Sequence, residues 1–395
     1  MEEEYVMFSG LYSLNLVGLH PFKSSFKKGV VALIFIVFTL ICYALNLAGV
    51  ILKYDGLKSL ADSIDAVPAG QQVMVKLLSV LFLRNEMKHL YNTVEKKWDN
   101  KIYGEELENT IKKLSLKFKK IYNTYRMTIW VTAILYVSKP LILFSRTLLT
   151  EMYIPCNLSQ NYCYISFIAI QTIYIFDLAF VVYTFDGIFY AFLFYVYCEL
   201  EKIKYGFANL NVSITTDLNN NEEDCYTKFC EIVKHHYSMI KFLQDVNKVY
   251  YLQLLNHFVT ITATIVFGIF FMNMDGFPPA LGKVSRYIPY LMSYHFQLYI
   301  YCMWGQQVFD QVCSVCDVIY QSQWYVRYQP KLAKGMLLVM KVSQIQNKLT
   351  IGDMWKLNLG TFMSVIKTSM SFHAFMQTVY KSDEVLVESY NQTIF

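Results

Sequence analysis

Long apolar runs alternate with shorter polar stretches along the whole chain. A helix that crosses a bilayer needs about 20 apolar residues. Residues 29–52 carry no charge until Lys53 and are rich in Ile, Leu, Val and Phe, so they predict a first span. A second span over 60–83 is weaker. It holds Asp62, Asp65 and Lys76, which points it toward protein or water rather than lipid. Further spans are predicted over 127–149, 164–197, 249–274, 286–308 and 357–379. The fourth is longer than a bilayer requires and should protrude from it by about 20 Å at helical rise. The seventh is interrupted by Lys367.

The polar stretches have their own pattern. Residues 84–126 predict a basic helix, with Leu114, Leu116, Phe118 and Ile121 set among Lys112, Lys113, Lys117, Lys119 and Lys120. Its lysines are expected to be solvated or near anionic headgroups. Segments 198–247 and 309–352 predict helical extensions that form a cytoplasmic anchor, the first interrupted by a polar loop at 219–224. No internal repeat or soluble domain boundary divides the chain, so 1–395 is expected to be a single domain.

Composition agrees with a bilayer as solvent. Hydrophobic residues make up 55% and charged residues 16%, where a soluble domain carries about a quarter charged. Mean hydropathy is +0.31. The net charge of +5 says less than its distribution. Segments 1–28, 84–126, 198–247 and 309–352 hold 3, 11, 5 and 5 Lys and Arg. Segments 53–59, 150–163, 275–286 and 380–395 hold 2, 0, 2 and 1. Basic loops stay inside. The expected fold is therefore an all-α membrane protein of seven transmembrane helices, N-terminus cytoplasmic and C-terminus extracellular. The acidic start, Met1 to Glu4, and the length of the first apolar run argue against a cleavable signal. Of the glycosylation sequons at Asn157, Asn211 and Asn391, this topology leaves Asn157 and Asn391 outside.

Candidate chemistry is sparse. Cys156 and Cys163 share an outside loop, where they can form a disulfide or remain free. Cys313 and Cys316 have metal-like spacing but no second pair. Adjacent His235 and His236 diverge by about 100° on a helix. The chain has no Gly-rich phosphate loop and no Gly-x-Ser-x-Gly elbow. No catalytic residue, metal, cofactor or nucleic acid is expected. Asp177 and Asp186, nine residues apart, fall on opposite faces of the fourth span, and Asp186 reads as a structural hydrogen-bonding group near its inner end. Lys139 is expected to be paired or in a wet cavity, and Arg146 to reach the interface. Lys367 could line a water-filled path or pair across a subunit interface. Tyr287, Tyr290, Tyr294 and Tyr301 follow one stripe of the sixth span. A pocket of rings with a few hydroxyls suits a small apolar organic ligand, although such stripes also serve ordinary helix packing.

The C-terminal third adds an ordered set of motifs. Cys302-x-x-Gly305 precedes Tyr320, Ser322 and Trp324, then Arg327, Pro330, Gln344 and the block from Leu349 to Gly352. The last span holds Leu357, Leu359, Thr361 and Phe362, then Lys367, Thr368, Ser369 and Ser371. Upstream stands the block from Asp186 to Phe189. In order and spacing this resembles the insect odorant receptor family. Ile351, Gln346, Met370, Tyr195 and Glu199 depart from residues common there.

The resemblance implies an odorant-gated, non-selective cation channel, a heterotetramer with a shared olfactory co-receptor in the plasma membrane of olfactory sensory neurons. The co-receptor carries a longer insertion between spans four and five, so this chain looks like an odour-specific tuning subunit. Its expected ligand is a small volatile apolar molecule such as an ester or terpenoid. Carried onto this chain, the pocket falls at Ile64, Val67, Tyr136, Phe144, Tyr174, Tyr290, Tyr294 and Gln297, with Gln297 orienting a carbonyl or hydroxyl. The pore gate falls at Phe375, Thr378 and Val379, an i, i+3, i+4 face. Two other receptor classes compete. A gustatory-type channel expects a last-span pattern that Ser371, Phe372, Gln377 and Thr378 fit poorly. A G-protein-coupled receptor needs the opposite orientation, and its Asp-Arg-Tyr and Asn-Pro-x-x-Tyr motifs are absent.

Overall fold

The structure, a computed structural model, describes residues 10, 12–20, 25–55, 66–95, 105–142, 146–210, 220–274, 278–279, 281–322, 324, 329–345 and 349–394. Its helices are α1 (Phe26–Leu52), α2 (Val67–Phe82), α3 (Arg84–Glu95), α4 (Glu105–Val137), α5 (Lys139–Ile142), α6 (Asn161–Ala208), α7 (Asn220–Asn273), α8 (Leu281–Gln321), α9 (Pro330–Gln344) and α10 (Leu359–Ile394). A small hairpin, β1 (Thr350–Ile351) with β2 (Trp355–Lys356), precedes α10. Among the described residues, three helices are apolar and long enough to cross a membrane: α1, α6 and, from Cys225, α7. α2 is apolar but shorter.

α6 is the axis of the molecule. From Tyr174 to Ile203 nearly every side chain is buried, whichever way it points. A helix apolar all round belongs in the centre of a bundle. Phe118 and Trp304 stack and cross against Phe194, tying α4, α6 and α8 together. α1 is the opposite case: Leu33, Ile34, Ile41 and Ile51 are exposed on it. A face this apolar is suited to lipid rather than water.

The structure departs from the sequence expectation in three places. The third expected span does not continue as one helix to 149. α4 stops at Val137, and the four residues of α5 follow after a turn at Ser138. Pro140 explains the break, because it has no N–H to continue the helical ladder back to Tyr136 and its ring crowds the preceding turn. Arg146 accordingly sits in an exposed loop, donating to Asn161 Oδ1 at 2.8 Å. Lys139 lies with its ammonium 6.0 Å from the Tyr136 ring.

The second departure is at 219–224, expected as a polar loop: α7 is already helical from Asn220, and the acidic Glu222, Glu223 and Asp224 suit the first turns of a helix. The third is the hairpin, where helix was expected. Gly352 and Asp353 both have positive φ, 59° and 57°. A tight reversal needs that backbone, and Gly adopts it without strain. Asn247 of α7 latches the hairpin, accepting from Thr350 N and donating to Thr350 Oγ1, each at 3.0 Å. Gly305 of α8 serves the same junction. A Cβ there would lie 2.2 Å from the Leu357 carbonyl oxygen, so only Gly lets the chain pass into α10.

Candidate functional site

Three helices offer the same stripe to a common space. α4 contributes Ile129, Thr132, Ala133 and Tyr136; α6 contributes Ile175, Leu178, Ala179 and Val182; α8 contributes Tyr290, Ser293, Tyr294 and Gln297. Each set is spaced i, i+3, i+4, i+7, one face of a helix. Ala66, Ala69 and Gln72 complete the wall from the start of α2, and Thr150 closes it from the loop after α5. They enclose a cavity of about 120 Å³. Small side chains at Ala69, Ala133 and Ala179 hold it open, where larger ones would let the helices fill it.

The loop that carries Thr150 is firmly held. Gln171 of α6 accepts from Leu149 N at 2.9 Å and donates to the Thr150 carbonyl at 2.8 Å. Asn46 of α1 donates to the Glu151 carbonyl at 2.7 Å, and Tyr153 N donates to the Leu45 carbonyl at 2.8 Å. Cys156 and Cys163 are joined by a disulfide with Cα atoms 6.3 Å apart, which ties the loop to the first turn of α6.

One helical turn beyond the cavity lies a polar layer of different character. Gln72, Ile129, Val182 and Gln297 line the cavity. Four residues from each stand Lys76, Tyr125, Asp186 and Tyr301, and these converge. Asp186 is fully buried. Its Oδ1 accepts from Lys76 Nζ at 2.5 Å and from the Tyr301 hydroxyl at 2.6 Å. Its Oδ2 accepts from Gln297 Nε2 at 2.8 Å and from the Tyr125 hydroxyl. Four donors on two oxygens satisfy the carboxylate. Gln297 belongs to both layers, lining the cavity while its amide nitrogen holds Asp186. The numbering runs toward this layer on α2, α6 and α8 and away from it on α4. Helices two, three, four and six of an alternating bundle would run this way.

The expected pocket residues divide. Tyr136, Tyr290, Tyr294 and Gln297 line the cavity. Tyr174 does not. It is fully buried at the seam of α6 and α2, and a Cβ built on Gly70 would lie 2.8 Å from its hydroxyl. Val67, in the first turn of α2, is not among the lining residues either. Ile64 and Phe144 lie outside the described residues. Phe375, Thr378 and Val379 are exposed on one face of α10. Asn157 is exposed in the loop, its Oδ1 accepting from Ser159 N at 3.0 Å. Asn391 is in α10, and its side chain lies outside the described residues. Lys367 is exposed.

The sequence reading passed over Gln72, Ser293, Thr150 and the alanines. Rings stand out in the sequence, although Ile175, Leu178, Ala179 and Val182 of α6 carry the same periodicity. For Thr150 no periodic signal exists, since it lies in a loop.

Comparison with known proteins follows the same lines. The family model "7tm Odorant receptor" matches residues 72–370. Odorant receptor 22c of Drosophila melanogaster is 22% identical over 42% of this chain and 42% of its own length. Odorant receptor 49a of the same species is 25% identical over 44% and 43%. The aligned region thus spans less than half of these relatives. The fold is shared with insect olfactory receptor OR5 from Machilis hrabei, solved in complex with eugenol, at a TM-score of 0.83 and 14% identity. That match covers 96% of this chain and all of the other. Members of the matched family are receptors in membranes, not enzymes. The chain belongs to the insect odorant receptor family.

Proposed function

We propose that this chain is the odour-specific subunit of an odorant-gated, non-selective cation channel. It assembles with a shared co-receptor as a heterotetramer in the plasma membrane of olfactory sensory neurons. The observation that carries the reading is the cavity between α2, α4, α6 and α8, walled by rings and aliphatic side chains with few polar groups. Such a site suits a small volatile organic molecule. The ligand meets Tyr136, Tyr290, Tyr294 and Gln297. Seven spans place the cavity in the outer half of the bundle and the anchor of 198–247 and 309–352 in the cytoplasm. The skew of Lys and Arg supports that orientation.

The exposed face of α10 supports the channel half of the proposal. Phe372, Phe375 and Val379 are open to the surroundings in a single chain, at 41%, 60% and 40% exposure. Around a central axis these faces would meet, with Phe375, Thr378 and Val379 as an apolar constriction that gates by dewetting. Ligand opens the channel only by binding the open state better. A 100-fold preference is worth about 2.7 kcal/mol per site.

The test is whole-cell current from this chain with and without a co-receptor, challenged with volatile ketones, esters, alcohols and terpenes. Rapid cation current that needs both chains and survives a block of G-protein signalling is the expected result. Current that is abolished by that block would overturn the channel reading.

A further inference from the structure

We infer that the cavity selects ligands bearing a carbonyl oxygen, held by Gln72 and Thr150. This rests on the cavity being the ligand site of the receptor. Some polar groups of the lining are already engaged. Gln297 Nε2 is committed to Asp186, and Thr132 donates to the Thr128 carbonyl at 2.9 Å. Two lining groups are both deeply buried and unpaired. Gln72 and Thr150 are each 2% exposed, and neither Gln72 Nε2 nor Thr150 Oγ1 has a hydrogen-bond partner.

A buried polar group left unpaired is costly, and a ligand that pairs it recovers that cost on binding. Both orphans donate: the amide nitrogen can do nothing else, and the Thr hydroxyl rotates freely. A carbonyl oxygen has two lone pairs and brings no proton of its own that would need an acceptor. It is the simplest small group that satisfies both. An alcohol offers the same oxygen but adds a donor. A hydrocarbon leaves both groups unpaired. An ionised ligand would find no free counter-charge, because Lys76 and Asp186, one turn away, are bound to each other at 2.5 Å.

The selectivity should be larger than that of a purely apolar pocket. Such a pocket discriminates poorly between shapes that differ by one small group, whereas a site that hydrogen-bonds its ligand rejects an analogue lacking the group.

The experiment compares methyl hexyl ketone with its methylidene isostere, in which a terminal alkene carbon replaces the carbonyl oxygen. Binding is read from thermal stabilisation of the purified full chain, and current is read with co-receptor present. At least tenfold tighter binding of the ketone is expected. Gln72→Leu should lower that ratio severalfold, chiefly by weakening the ketone. Thr150→Val, which keeps shape, should lower the ratio severalfold, and it carries the test if Gln72→Leu fails to fold. Equal binding of ketone and isostere to the unaltered chain would overturn the inference. So would a ratio unchanged in both variants, or an equal loss of both ligands in Gln72→Leu. Failure of every ketone, aldehyde and ester of five to ten carbons to bind would overturn it too. Selective ketone binding without current would uphold the inference and sink the channel reading. Current evoked by hydrocarbons alone would do the reverse.

Discussion

The cavity and the Asp186 layer are built from the same four helices, one turn apart, and they solve opposite problems. In the Asp186 layer every carboxylate lone pair is occupied, and four helices are joined through one side chain. In the cavity layer, alanines withhold volume and two polar groups have no partner. The first arrangement fixes the helices relative to one another. The second leaves room and unspent hydrogen-bonding capacity between helices thus fixed. In an apolar solvent this division is reasonable. Lipid is as apolar as the side chains it touches, so helices are held by packing and polar contacts rather than by the hydrophobic effect. A receptor that kept its cavity open without a braced layer beneath it would lose the space to collapse.

Breaking the braced layer should have the largest effect. Asp186→Leu strands the Lys76 ammonium, and removing one partner of a buried pair costs about 3–5 kcal/mol. Little folded chain should reach the surface, as read by surface labelling and by thermal melts in detergent. The double variant Asp186→Leu with Lys76→Met removes both charges and should recover much of the loss. A double variant as poor as the single one would mean that Tyr125, Tyr301 and Gln297 need the carboxylate itself.

Tyr301→Phe is a smaller test of the same layer. It removes one donor at 2.6 Å and leaves Lys76 in place. Hydrogen bonds to charged groups are worth about 1.5–3 kcal/mol. A lower melting temperature with normal ligand selectivity is expected. Altered selectivity instead would show that the two layers are not separable, with Gln297 the obvious link.

The braced layer was only half legible in the sequence. Lys76 and Asp186 stand out as charges inside apolar runs, the first turning its span toward protein or water, the second reading as a structural hydrogen-bonding group. Their pairing spans 110 residues, and no local period reports a contact of that range. The bundle itself was legible, because long apolar runs leave few alternatives. Pro140 was equally visible, yet a window over 127–149 averages it away. The hairpin was hidden for another reason. Leu349 to Gly352 was recognised as a motif, but two residues per strand are too few to alternate. The cavity was legible in its rings and illegible in its alanines. Absence of side chain matters there, and periodicity scores presence.

Filling the cavity should act on the receptor without acting on the fold. Ala179→Leu places a larger side chain where α6 faces the space. Ligand potency should fall at least about tenfold, which is about 1.4 kcal/mol. Melting temperature should hold or rise, because a void is being filled. A large fall in melting temperature with potency unchanged would show that the space belongs to packing and not to ligand.

The smallest effect concerns a group outside both layers, and it asks whether the anchor is braced as the Asp186 layer is. His235 of α7 lies 2.9 Å from Glu199, which also pairs with Lys202 at 2.6 Å. His236, its neighbour, is 3.4 Å from Ser343 of α9. Burial, and then the proximity of His235, push the His236 pKa down to about 4 from 6.5. The folded chain therefore holds this ring neutral, while the unfolded chain protonates it more readily. Stability linked to His236 is complete above pH 6.5. It declines as pH falls toward 4, because there the unfolded state binds the extra proton. Melts of the purified chain between pH 7.5 and 5 should show a falling midpoint, and His236→Gln should flatten that slope. A slope unchanged by His236→Gln would show that this ring does not set the anchor's response to pH, and that its burial against Ser343 serves packing alone.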